Sequence, residues 1–104
     1  MNAVEFLMDL PDSVNKAALE GHDTRFHFIM KDTEKAVTLS IKDGELHAEE
    51  GLHGEAKCVV KSSETNLMKL VNKDLNPMMA ILSGKLKISN QGEMIKYAKI
   101  LGLM

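Results

Sequence analysis

A chain of 104 residues, 44% apolar and 27% charged, has material for one hydrophobic core and not for two. A formal net charge of −2, a pI near 6.1 and an aromatic content of 4% argue against a nucleic-acid-binding surface, which needs basic charge and stacking rings. No apolar run approaches the roughly 20 residues of a membrane span, and the single Cys58, with no leader-like segment ahead of it, fits a reducing, cytoplasmic setting.

Two features of composition stand out. There are eight methionines and no tryptophan, and Met suits apolar surfaces that adapt to more than one shape. Charge is also unevenly placed. Residues 1–56 carry twelve acids and five bases, whereas residues 57–104 carry eight lysines and three acids.

In chain order, Val4, Phe6, Leu7 and Leu10 form a short helical stripe that Pro11 is expected to end. Asn15 caps a brief helix from Lys16 to Glu20, with Gly21 beyond it. The period then changes to two. Phe26, Phe28 and Met30 share one face of a strand, and Val37, Leu39 and Ile41 share one face of the next. Asp43-Gly44 is a type I′ hairpin signal leading into a strand at Leu46–Ala48. Gly51 and Gly54 mark a turn, after which Ala56, Cys58 and Val60 predict a fourth strand. Four successive strands with short connections predict antiparallel pairing, with one apolar face that needs a cover.

The helices that follow can supply it. Ser63 caps a helix predicted over Glu64–Lys73 with Leu67, Leu70 and Val71 on its buried side. Asn76 caps a second helix, Pro77 fits its first position, and Gly84 stops it. Leu86 and Ile88 alternate with lysines in a fifth strand. A last helix runs from Glu93 to about Leu101, with Met94, Ile95, Tyr97, Ala98 and Leu101 on a wide apolar arc.

Catalytic patterns are weak. His47-x-Glu49 lacks the Pro-Cys-x-x-Cys partner of a zinc deaminase. Glu50 and His53 lie among turn glycines and do not make the three or four ligands of a metal site. Gly84-Lys85 lacks the other glycine and the hydroxyl residue of a phosphate loop. Cys58 sits in a strand with no local partner, as a structural thiol does.

The run Asn76-Pro77, an apolar helix, Gly84-Lys85-Leu86-Lys87-Ile88, the turn through Gly92 and the amphipathic final helix resembles the sterol-carrier-protein-2-like (sterol transfer) family. The Val59–Leu70 strand-to-helix junction, the Asp43-Gly44 hairpin and the short helix before Arg25 extend the resemblance over roughly Leu10–Leu103. It implies an α+β fold: a five-stranded, mainly antiparallel sheet covered on one face by helices, with an apolar tunnel between the layers. It also implies non-catalytic binding of acyl chains, acyl-CoA, phospholipids or sterols, without a cofactor. The short N-terminal segment leaves the tunnel either more open or closed by a second copy of the chain in a homodimer.

On this reading the sheet contributes Phe26, Phe28, Met30, Leu39, Ile41 and Val60 to the lipid-binding surface. The helices contribute Leu67, Leu70, Met78, Met79, Leu82, Met94, Tyr97, Ala98 and Leu101. Each methylene moved out of water contributes about 0.8 kcal/mol, so a long chain binds without a polar anchor. A contiguous apolar cavity of roughly 300–1,000 Å³ is expected. Lys73, Lys85, Lys87, Lys96 and Lys99 are expected to flank its mouth and favour anionic membrane surfaces. An accessory protein that holds a hydrophobic biosynthetic intermediate for partner enzymes is the alternative function.

Overall fold

Five strands form one sheet in the order β3-β2-β1-β4-β5, in a computed structural model that describes residues 2–103. The chain runs through α1 (Ala3–Ser13), a 3-10 helix (Lys16–Leu19), β1 (Thr24–Met30), β2 (Lys35–Lys42) and β3 (Glu45–Glu50). It continues through β4 (Cys58–Ser62), α2 (Glu64–Val71), α3 (Pro77–Leu82), β5 (Leu86–Ile88) and α4 (Gln91–Ala98). The architecture is the α+β one expected.

Alternation fixes which side chains meet. Phe26 pairs with Leu39 and Phe28 with Val37 across β1 and β2. Leu39 pairs with Ala48 and Ile41 with Leu46 across β2 and β3. Val60 pairs with Ile88 across β4 and β5. The apolar members share one face, as a period of two requires. Asp43 and Gly44 both take positive φ, 54° and 76°, which a type I′ hairpin turn demands.

Pairing departs from expectation in one place. β4 runs parallel to β1, with Phe26 opposite Cys58 and Phe28 opposite Val60. The glycines at 51 and 54 do not form a hairpin. Instead residues 51–57 cross back over the polar face of the sheet. Thr38 Oγ1 donates to the Gly51 carbonyl at 2.8 Å and accepts from His53 N at 3.0 Å. His27 Nε2 hydrogen-bonds the His53 carbonyl at 3.0 Å, and Lys57 N donates to the Arg25 carbonyl at 2.9 Å. These partners satisfy a seven-residue crossing that would otherwise leave backbone groups unpaired. Ala56, expected in the strand, belongs to this crossing.

The helices capped by Asn15, Ser63 and Asn76 start as expected, Asn2 caps α1, and α4 starts at Gln91, two residues earlier than expected, with Asn90 as its cap. Asn2 accepts from Glu5 N, Asn15 from Ala17 N, Ser63 from Asn66 N and Asn76 from Met78 N. Pro11 does not end α1, which continues to Ser13. Proline's own φ is helical, and with only two residues of α1 after it the lost ladder bond and the ring's crowding of the preceding turn are borne at the helix end. α2 stops at Val71, two residues early, because Lys73 takes a left-handed φ of 66°. α4 stops at Ala98, and a hydrogen bond from Leu103 N to the Ala98 carbonyl turns the chain back. That turn tucks Leu101 and Leu103 into the core.

The edges of the sheet differ in charge. β3 exposes Glu45, Glu49 and Glu50, whereas β5 exposes Lys87 and follows directly on Lys85. α1 buries Ala3, Val4, Leu7 and Leu10 over β2 and β3, while α3 lies against β5 and α4 against β4.

Candidate functional site

The residues expected to bind a hydrophobic ligand converge on the apolar layer between sheet and helices. From β1 and β2 come Phe26, Phe28, Met30, Leu39 and Ile41, and from β4 comes Val60. Leu67 and Leu70 descend from α2, Met94, Tyr97 and Ala98 from α4, and Leu101 from the turn after it. All twelve are at most 2% exposed and belong to one cluster. Phe26 lies at the centre of an aromatic group: its ring stacks on Phe28 at 5.9 Å and meets Tyr97 edge-on at 6.0 Å.

Three of the residues expected here lie elsewhere. Met78, Met79 and Leu82 are 44%, 59% and 79% exposed. α3 turns its small residues, Pro77 and Ala80, inward. A six-residue helix has room for one buried face, and small residues let it approach the sheet closely. The apolar run alone did not say which side that would be.

The expected open cavity is replaced by side-chain packing. Among the described residues, the hollows found open at the surface and reach the layer only at its margins. A groove of about 380 Å³ on the polar face is lined by Arg25, Ser40, His47, Glu49 and Glu55, among others. A smaller crevice of about 160 Å³ reaches the layer's margin, lined by Leu70, Lys73, Leu75, Asn76, Pro77 and Leu103. Its lining includes Leu70 and Leu103 of the apolar cluster, whereas the groove on the polar face reaches that cluster only at Ile41.

One end of the layer is polar, which local sequence patterns did not reveal. Tyr97 Oη hydrogen-bonds His22 Nδ1 at 2.9 Å, and Thr24 Oγ1 donates to the Glu93 carboxylate. Thr24 is buried, so its hydroxyl needs that partner. The two bonds tie α4 to the start of β1 across 75 and 69 residues of sequence. Cys58 Sγ approaches the Asn90 carbonyl at 3.4 Å. Burial pushes its thiol pKa up and the Glu93 charge adds to this, against an opposing effect of the Asn90 backbone. A buried, protonated thiol is a poor nucleophile. Among the described residues, no group of three or more His, Cys, Asp or Glu side chains could hold a metal ion.

The five lysines expected around the layer, Lys73, Lys85, Lys87, Lys96 and Lys99, are all exposed. Lys73 Nζ donates to the Gly102 carbonyl at 3.2 Å beside the small crevice. No helix among the described residues is long and apolar enough to cross a membrane.

The model of the SCP-2 sterol transfer family matches residues 3–104. The chain belongs to that family. Solved structures agree on the fold. Palmitated SCP2L2 from Aedes aegypti superposes with a TM-score of 0.75 at 15% identity, covering 97% of this chain and 95% of that one. Sterol carrier protein 2 from Yarrowia lipolytica gives 0.70 at 18%, covering 96% and 88%. The sec-alkylsulfatase Pisa1 from Pseudomonas sp. gives 0.83 at 21%, and this sterol transfer family chain, covered in full, spans 16% of that enzyme. At such identities the likeness is one of fold. Among curated proteins, none matches the chain by sequence.

Proposed function

We propose that this sterol transfer family domain binds lipids with a long acyl or sterol-like apolar body and transfers them, without chemistry of its own. The observation that carries this reading is the continuous apolar layer enclosed between a one-sided sheet and its helical cover. Its lining includes Met30 and Met94, with Met68 packed against it, side chains that re-pack around differently shaped ligands. A catalytic role finds little support, since the thiol nearest the layer is buried and held protonated.

Because the layer is closed by packing, an inserted chain must part the cover from the sheet. About 0.8 kcal/mol per buried methylene of ligand is set against that cost. The shortest elements beside the layer are the six-residue α3 and the three-residue strand β5 it lies against, and the cover is proposed to part there. Bound ligand exchanges one apolar contact for another, so net affinity rests on the ligand's own transfer from water.

Native mass spectrometry of freshly purified protein, followed by lipid extraction, tests the reading together with displacement of a fluorescent fatty acid. A retained lipid, or saturable one-to-one binding of the probe, is the expected result. A mass equal to the bare chain together with no probe binding would refute it. The alternative, an accessory protein holding a hydrophobic biosynthetic intermediate, draws on one likeness. The ubiquinone synthesis protein UbiJ-SCP2 shares the fold with a TM-score of 0.65 at 18% identity. Co-purification with biosynthetic enzymes, without transfer between vesicles, would favour that role.

A further inference from the structure

We infer that the outward face of α3 is a docking surface for an anionic phospholipid bilayer. This rests on the lipid-binding reading and adds the place where lipid would be collected or delivered. Among the described residues, three of the five large apolar side chains that stand exposed, Met78, Met79 and Leu82, sit on this one six-residue helix. The helix is held in place. Asn76 Oδ1 accepts from Met78 N at 2.9 Å, Gly84 ends the helix at a φ of 77°, and the buried Ala80 pins it from below. The apolar face is therefore presented by a fixed element.

Charge selects the partner. Between Glu64 and Glu93 the chain has four lysines and one acid, Asp74. Lys73 shares a crevice with Asn76 and Pro77 at the start of α3, and Lys85 follows Gly84 at its end. An apolar face bracketed by cations matches a bilayer whose acyl region lies beneath negative headgroups. A neutral protein groove would give the lysines nothing to meet. Position matters as well. The crevice beside Pro77 is lined by Leu70 and Leu103, both members of the buried cluster. A lipid leaving a bilayer docked on α3 would meet that margin without crossing bulk water.

The test is flotation with vesicles of phosphatidylcholine alone and of phosphatidylcholine with roughly a third of anionic phosphatidylglycerol, which supplies the negative surface potential. Native protein is expected to bind the anionic vesicles and to lose binding in high salt. The double variant Met79→Asp with Leu82→Asp is expected to lower the partition coefficient tenfold or more. Lys73→Glu with Lys85→Glu should lower it about fivefold for each charge removed, and more on reversal. All four positions are exposed, so folding should survive, which circular dichroism melts will verify. Equal binding to neutral and anionic vesicles would overturn the proposal, and so would unchanged binding of the Asp variant. So would a native dimer, seen by sedimentation equilibrium and abolished by Leu82→Asp, with no vesicle binding. Displacement of the fluorescent fatty acid in vesicle-free solution separates the two readings. A native chain that binds the probe in solution but does not dock on anionic vesicles removes the surface and not the ligand. Solution binding absent in the native chain removes the ligand reading itself.

Discussion

Replacing Phe26 by Ala probes the apolar layer at its centre. The ring is 1% exposed, stacks on Phe28 and meets the edge of Tyr97. Losing it removes buried area, leaves a cavity and ends two aromatic contacts. Truncation of a buried Phe costs about 3–5 kcal/mol. Domains of this kind hold roughly 5–15 kcal/mol, so the variant should remain folded with little reserve. At about 4–8 °C per kcal/mol, the melting temperature should fall by at least about 12 °C. The readout is urea unfolding by circular dichroism, repeated with a saturating long-chain fatty acid. If ligand and ring share space, the fatty acid should stabilise the variant more than the native chain. A ligand at a hundred times its Kd contributes about 2.7 kcal/mol, so a difference of 1 kcal/mol is measurable. Loss of under about 1 kcal/mol would contradict the packing described. An identical fatty-acid shift in both proteins would refute the claim that ligand enters this layer.

Other perturbations address the supports of the layer. Thr24→Val keeps the shape and removes the bond to the Glu93 carboxylate; urea unfolding should show a loss of about 1.5–3 kcal/mol, the range for a bond to a charged group. Cys58 should react with a thiol reagent at neutral pH only as fast as the native fold opens. Its raised pKa means the native state holds the proton longer than the unfolded chain does. Stability should therefore fall as pH rises above the ordinary thiol value of about 8.5, and Cys58→Ala should remove that part of the slope. Gly54→Ala should cost about 1–2 kcal/mol, because Gly54 has a φ of 69° and an added Cβ would lie 2.2 Å from Arg25 Nη1. Arg25→Ala in the same chain should recover the steric share and leave the backbone share.

Much of the fold is written locally. The alternation through Phe26, Phe28 and Met30 and the Asp43-Gly44 turn fix strands, and Ser63, Asn76-Pro77 and Gly84 fix helix ends. Each acts within a few residues, where steric and capping preferences are strong. The parallel β1–β4 pair was not legible that way. It depends on Thr38, His27 and Arg25 offering partners to a segment 13 to 30 residues away. The buried apolar cluster was legible because apolar period reports burial. It does not report which side of a short, evenly apolar helix faces inward, hence the misplaced Met78, Met79 and Leu82. His22, Thr24 and Glu93 carried no local signal, since their pairing exists only once α4 packs beside β1.

The unequal edges of the sheet have a consequence for how copies of the chain meet. An exposed edge strand offers unpaired backbone groups to any neighbour. Two copies joining β3 to β3 would face Glu45, Glu49 and Glu50 with their equals, and joining β5 to β5 would face lysine with lysine. Both two-fold arrangements place like charges within a Debye length of about 10 Å. The remaining pairing, acidic edge to basic edge, does not close on itself, and β5 offers it three residues only. The uneven spread of charge along the chain thus becomes, in space, a guard against two-fold edge pairing, and the shortness of β5 limits the open-ended pairing that opposite charges would favour.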